Sequence, residues 1–132
     1  MGLLKRIFGI CDTKLPADSD CWKFYGSTVE IDLSRVPELK KSGSAIRLEG
    51  SGLPERILVL HGNDGGFHAF KNRCTHARRR IDPVVGESLI RCCSVGKSTF
   101  DYEGQVVSGM AKKPLNVFPV KSQDDKLIIS LK

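Results

Sequence analysis

Apolar residues recur at every second position along much of this chain. In "TVEIDL", Val29, Ile31 and Leu33 alternate with polar partners, and in "SAIRLEG" Ile46 and Leu48 do the same ahead of a glycine turn. A period of two belongs to a half-buried β-strand. "RILVLHGNDGGFHAFKNRC" holds two apolar runs joined by "GNDGG". Asp-Gly and Gly-Gly tolerate the positive φ of tight turns, so residues 56–61 and 66–71 are expected to pair as a hairpin. "SLIRC" predicts another strand, "FDYEGQVVSG" a hairpin turning at Glu103 and Gly104, and "LNVFPV" and "KLIISL" two closing strands joined at "SQDD". "LSRVPELKKSG" allows one helical turn at most, because Pro37 interrupts it. Short strands at roughly ten-residue spacing, with Gly and Asp at the joints, predict an antiparallel all-β sandwich or barrel.

The alternation starts only after the first two dozen residues. Residues 1–26 mix Pro, Asp and Ser without a period and are expected to form a leader or wrapping segment, with the domain at 27–132. Trp22, Phe24 and Tyr25 are read as core or cover residues. "MGLLKRIFGIC" lacks the apolar length and the cleavage site of an export signal, and Arg6 stands where myristoylation of Gly2 wants Ser or Thr. A chain of 132 residues, 40% hydrophobic and 27% charged, suits one globular domain, and no tract of eighteen apolar residues is present. The expected setting is cytoplasmic, without a membrane span.

A formal charge of +6 favours acidic partners. No helix-turn-helix, zinc finger or aromatic RNA-binding strand accompanies it, so no nucleic-acid partner is expected. The five cysteines, Cys11, Cys21, Cys74, Cys92 and Cys93, are an odd number without an export signal, which argues for reduced thiols or metal ligands.

"RCCSVGKSTFD" at residues 91–101 invites two readings. A phosphate-binding loop needs a glycine five positions ahead of Gly-Lys-Ser, where this chain has Arg91, and a helix after it, where this chain has a strand and turn. That match is a coincidence. The metal reading goes further. Cys74 and His76 lie two positions apart at the end of one hairpin strand, and Cys93 ends another. Two loops bearing such ligands can enclose a two-iron cluster from both sides.

At these residues the chain resembles the Rieske ferredoxin family, whose pattern is Cys-x-His in one loop and Cys-x-x-His in a second. "GGFHAFKNRCTH" looks like the first hairpin and loop, with Ile81 at the apolar position after it. "CSVGKSTFDYEGQVVSG" aligns without a gap on the second loop and its Phe-Asp hairpin, and "KKPLNVFPV" on the Pro-Leu strand that follows. The resemblance covers about residues 27–131. It implies a Rieske-like β domain with a small two-loop cluster-binding subdomain, a [2Fe-2S] cluster and electron transfer. Cys74 and Cys93 would bind the inner iron and His76 the outer one. Gly96 occupies the place of the second histidine, and Arg78 and Lys97 replace loop glycines. Cys92 is the candidate to complete the set. A site with three thiolates and one histidine would sit at a lower potential than the family's usual one.

The resemblance also implies a partner reductase or oxygenase. "ARRR" at residues 77–80, with Lys97, would form a positive rim steering an acidic redox partner. A cluster-free Rieske-fold module, like the small subunit of some nitrite reductases, is the alternative. A mononuclear zinc on Cys74, His76, Cys92 and Cys93 has suitable ligand types but lacks the usual spacing. No nucleophile triad or carboxylate pair is readable, so catalysis by this chain alone is not expected.

Overall fold

The computed structural model describes residues 12–75, 79–84, 86–93 and 98–131. They form twelve strands in three antiparallel four-stranded sheets. The strands are β1 Trp22–Tyr25, β2 Thr28–Asp32, β3 Ala45–Leu48, β4 Ile57–His61, β5 Phe67–Lys71 and β6 Ile81–Pro83. They continue with β7 Leu89–Cys92, β8 Thr99–Asp101, β9 Val106–Ser108, β10 Val117–Phe118, β11 Val120–Gln123 and β12 Lys126–Ser130. The first sheet runs β1-β2-β12-β11, the second β10-β5-β4-β3 and the third β6-β7-β8-β9. The all-β expectation is met, and the hairpin around "GNDGG" pairs Ile57 with Lys71 and His61 with Phe67.

The second sheet is the middle layer. Successive strand residues face opposite ways, and both faces of β4 are buried. Ile57 and Val59 pack with Val29, Ile31, Leu127 and Ile129 of the first sheet. Leu58 and Leu60 pack with Phe70, Ile81, Ile90 and Phe100 towards the third. Two apolar cores follow from one continuous "ILVL" run, and the second core backs the loops of interest.

Three local differences from the sequence reading have physical causes. "LNVFPV" is two strands, because Pro119 has no N–H to give a ladder. β10 joins the middle sheet through Val117 and Phe118, and β11 joins the first. "LSRVPELKKSG" contains two consecutive 3₁₀ turns, Leu33–Arg35 and Pro37–Leu39. The first is capped by Asp32, whose carboxylate accepts from the Ser34 N–H at 3.0 Å. Pro37 opens the second, where its missing N–H costs nothing.

The boundary drawn after residue 26 falls inside a hairpin, since β1 pairs with β2 from Trp22 opposite Ile31 to Tyr25 opposite Thr28. Trp22 and Phe24 pack against the first core, whereas Tyr25 is exposed. Residues 12–14 are tied to two strands. The Asp12 and Thr13 N–H groups donate to Asp82 on β6 at 2.6 and 3.1 Å, and the Lys14 carbonyl accepts from the Arg47 N–H of β3 at 3.0 Å.

Gly104 turns β8 into β9 with φ of +85°. A Cβ there would run into the Leu115 carbonyl oxygen, and the Gly104 carbonyl already accepts from the Leu115 N–H at 2.7 Å. Gly104→Ala combines a left-handed conformation costing about 1–2 kcal/mol with a backbone clash. We expect at least about 2 kcal/mol of lost stability, measured by urea unfolding.

Candidate metal centre

Cys74 follows the end of β5, Cys92 closes β7 and Cys93 follows it. All three are buried, at 0%, 0% and 4% exposure. The loop after β5 is closed at its base by the Cys74 N–H, which donates to the Arg79 carbonyl at 2.7 Å. The Cys93 N–H donates to the neighbouring Arg80 carbonyl at 3.0 Å. Two cysteines distant in sequence thus have their backbones held on adjacent residues of one loop. His76, Arg78, Ser94, Val95, Gly96, Lys97 and Cys11 lie outside the described residues.

The adjacent thiols have different surroundings. β6 and β7 pair Ile81 with Cys92, and the Cys92 N–H donates to the Ser98 carbonyl at 2.8 Å. Cys92 and Cys74 both belong to the second core, together with Leu58, Phe70, Ile90 and Phe100, and Cys93 does not. Strand alternation explains this, since Ile90 and Cys92 share one face and Cys93 has the other. Among the described residues, no group of three His, Cys, Asp or Glu side chains is close enough to hold a metal ion.

The expectation of reduced thiols holds for Cys21, Cys74 and Cys92 and is corrected at Cys93, which is disulfide-bonded. A metal ligand must be a thiolate, so Cys93 ligates only after reduction. Cys21 packs in the first core, away from this site. Burial, followed by the charges of Asp18 and Glu38, pushes its thiol up to about 11. It is an inert core thiol.

The loop's return is clamped electrostatically. Glu49 accepts from Arg80 Nε at 2.6 Å and Nη2 at 3.0 Å, and lies 2.9 Å from Arg47 Nη1. The Arg80 charge is therefore paired with Glu49 and adds little to a positive rim. The Arg80 hydrogen bonds, with Arg47 adding to them, hold Glu49 below its ordinary value of 4.5. A carboxylate depressed in the folded state stabilises above its unfolded pKa, and that contribution fades as pH falls through the folded value. We expect the wild type to lose stability on acidification below about pH 4.5. Glu49→Gln should flatten this part of the curve, as followed by thermal melts from about pH 3 to 7.

Asn72, two residues before Cys74, was not singled out from the sequence. It is fully buried, and its Oδ1 accepts from the Ile81 N–H at 2.8 Å across the base of the loop. Its backbone N–H donates to the Arg56 carbonyl at 2.8 Å. Its Nδ2 has no partner among the described residues. A buried unpaired donor costs about 1–3 kcal/mol, and a cluster sulfur is an acceptor of the kind that would relieve it. This donor and the backbone placement of Cys74 and Cys93 fit an iron-sulfur group, provided that Cys93 is reduced.

The other histidines are satisfied locally. His61 Nδ1 donates to the Leu39 carbonyl at 2.8 Å, and His68 Nε2 lies 2.9 Å from Asp64 with its ring on Tyr102 at 4.5 Å. Ser98, part of the Gly-Lys-Ser sequence, is buried and accepts from the Ala111 N–H at 3.0 Å. It holds the turn before the Pro-Leu segment.

Residues 30–119 match the model of the Rieske [2Fe-2S] domain. The chain belongs to the Rieske [2Fe-2S] domain family. By family it is a Rieske-type electron-transfer protein, and the family's domain is one that carries a [2Fe-2S] cluster. Solved structures share this fold. The Rieske domain resembles the ferredoxin of carbazole 1,9a-dioxygenase from Nocardioides aromaticivorans IC177 at 22% identity and a TM-score of 0.59, over 70% of this chain and 88% of that one. A chain from the complex of reduced oxygenase and oxidised ferredoxin in carbazole 1,9a-dioxygenase matches at 20% identity and 0.60, over 70% and 84%. The plasma membrane Rieske protein PetC3 of Synechocystis PCC 6803 matches at 20% and 0.53, over 64% and 85%. Among the described residues, no helix is long and apolar enough to cross a membrane.

Proposed function

We propose that this Rieske-domain protein is a one-electron carrier holding a [2Fe-2S] cluster between its two loops through a non-standard ligand set. The observation that carries the reading is the fastening of Cys74 and Cys93 to adjacent residues, Arg79 and Arg80. In this reading the Cys74 and Cys93 thiolates hold the inner iron and His76 the outer one. The cluster, when bound, supplies reversible uptake of one electron. The chain's residues supply the setting. Leu58, Phe70, Ile90 and Phe100 exclude water behind the cysteines, and Glu49 fixes the loop through Arg80.

Gly96 leaves the outer iron one histidine short. Cys92 shares its strand face with Ile90 and borders the same apolar core as Cys74, so it fills that place only if the loop is rebuilt, and a loop oxygen or water is the alternative ligand. The basic residues of the two loop sequences, Arg78, Arg79 and Lys97, would draw in an acidic reductase or oxygenase. The expected setting remains the cytoplasm, with no nucleic-acid partner.

Purification without oxygen, in the presence of a thiol reductant, followed by iron and acid-labile sulfide assays and a visible spectrum, tests the reading. About two iron and two sulfide per chain are expected, with poor loading when the reductant is omitted. A colourless, iron-free protein after reconstitution would sink the carrier. That outcome would leave the second reading, a cluster-free interaction module, which the Cys93 disulfide favours. Stoichiometric zinc without sulfide would point to a mononuclear site.

A further inference from the structure

A cavity of about 200 Å³ opens beside Cys74, lined by Lys71, Arg73, Cys74, Thr75, Lys113 and Asn116. Three of these six residues are cationic and none is acidic. The Lys71 ammonium is paired with Glu55 at 3.2 Å. Arg73 and Lys113 have no ion-pair partner among the described residues. The frame is fixed on both sides. The Lys71 N–H donates to the Asn116 carbonyl at 2.9 Å, and Thr75 Oγ1 donates to the Lys113 carbonyl at 2.7 Å. The hollow is thus bounded by two cross-segment hydrogen bonds and does not depend on the positions of long side chains alone.

Positive charge continues past its edge. Arg73 also lines a neighbouring cavity with Arg56 and Glu55. Burial lowers the proton affinity of the Arg56 guanidinium, and the charges of Arg80 and Arg73 lower it further. Glu49 and Glu55 offset part of this mutual repulsion, and a further anion at Arg73 would offset more of it. Beside Asn116, Val117 is 40% exposed on β10, an edge strand of the middle sheet. An apolar contact flanking a cationic hollow suits a protein surface better than a nucleic-acid backbone, which favours rows of cations interleaved with aromatic platforms.

We propose that this cavity is a carboxylate-binding site, at which an acidic side chain of a partner protein docks against Arg73 and Lys113, with Val117 meeting an apolar neighbour. The proposal takes the acidic partner from the reading above and adds its point of contact. That contact lies beside Cys74, at the foot of the loop that follows β5. A partner held there would be brought against the thiolate side of the centre.

The test is a ¹⁵N NMR titration of the full chain with citrate and with a hexaglutamate peptide, on iron-free and reconstituted protein. Saturable shifts at Thr75, Lys113 and Asn116 are expected in both forms. The Arg73→Glu/Lys113→Glu variant should bind the peptide at least about tenfold more weakly, and the neutral Arg73→Gln/Lys113→Gln pair should fall between. The remaining cross-peaks report that each variant is folded. Unsaturable shifts spread over unrelated residues such as Lys23 and Lys126, or equal affinity in the charge-reversed variant, would overturn the site. Tighter binding of a thymidylate oligonucleotide at the same residues would overturn the protein partner. Iron-free protein that binds the peptide while never accepting a cluster keeps the pocket and removes only the carrier reading. Loaded protein that ignores the peptide does the reverse.

Discussion

Phe70→Ala should lower stability by about 3–5 kcal/mol, the cost of removing a fully buried aromatic ring from a core that cannot collapse around the gap. Phe70 is 0% exposed and sits on β5 opposite Leu58, in the core that joins the middle sheet to the cysteine-bearing third sheet. For a chain of this length the loss corresponds to a fall in Tm of roughly 10–20 °C. It is a large share of the 5–15 kcal/mol (approximately) by which a domain is folded. Because β10 pairs with β5 at Phe70 itself, the damage should also spread to the edge of the middle sheet. Urea unfolding of the iron-free protein measures the loss without interference from metal. A change under about 1 kcal/mol would mean that the second core is loosely packed.

The placement of that ring shows what a sequence can and cannot say. The strand period and the Asp-Gly turn made the β4–β5 hairpin readable, because each depends on neighbours in sequence. That β4 is covered on both faces was written in the unbroken run Ile57, Leu58, Val59, Leu60. Continuous apolar character is ambiguous until the third sheet is known to lie behind it. Pro119 was visible, yet its effect depends on which sheet each side joins. Trp22, Lys23 and Phe24 alternate too briefly to read as a strand, and β1 exists because β2 supplies a ladder for it.

The site divides in the same way. Ligand types and spacing in "CTH" and in the second loop carry the family signal, since the family model matches residues 30–119. Spacing did not reveal that Arg80 is committed to Glu49, just after β3 and far away in the chain. Nor did it mark Asn72, whose role comes from a buried contact with Ile81. The environments of Cys92 and Cys93 were partly legible. Ile90 and Cys92 share a period-two face with the core, which was a usable sign that Cys92 is a packing residue. The disulfide at Cys93 depends on chain geometry and left no mark in the local sequence.

Substitution of the neighbouring thiols should therefore give unequal results. With Cys93→Ala the proposed inner iron loses one of its two thiolates, and iron and sulfide in reconstituted protein should fall to below about a tenth of wild type. With Cys92→Ala a small apolar group stays in an apolar core. That change should cost about 1 kcal/mol of stability and leave most of the iron and sulfide in place. Unfolding of the iron-free variants separates loss of the fold from loss of the ligand, since neither substitution buries a polar group. Cys93→Ala should also load no better when reductant is added, whereas wild type should improve because reduction releases its Cys93 thiolate. If Cys92→Ala instead abolishes loading while remaining folded, Cys92 leaves the core to complete the ligand set that Gly96 cannot. If both variants load normally, neither thiol holds iron, and the proposed placement of the cluster fails.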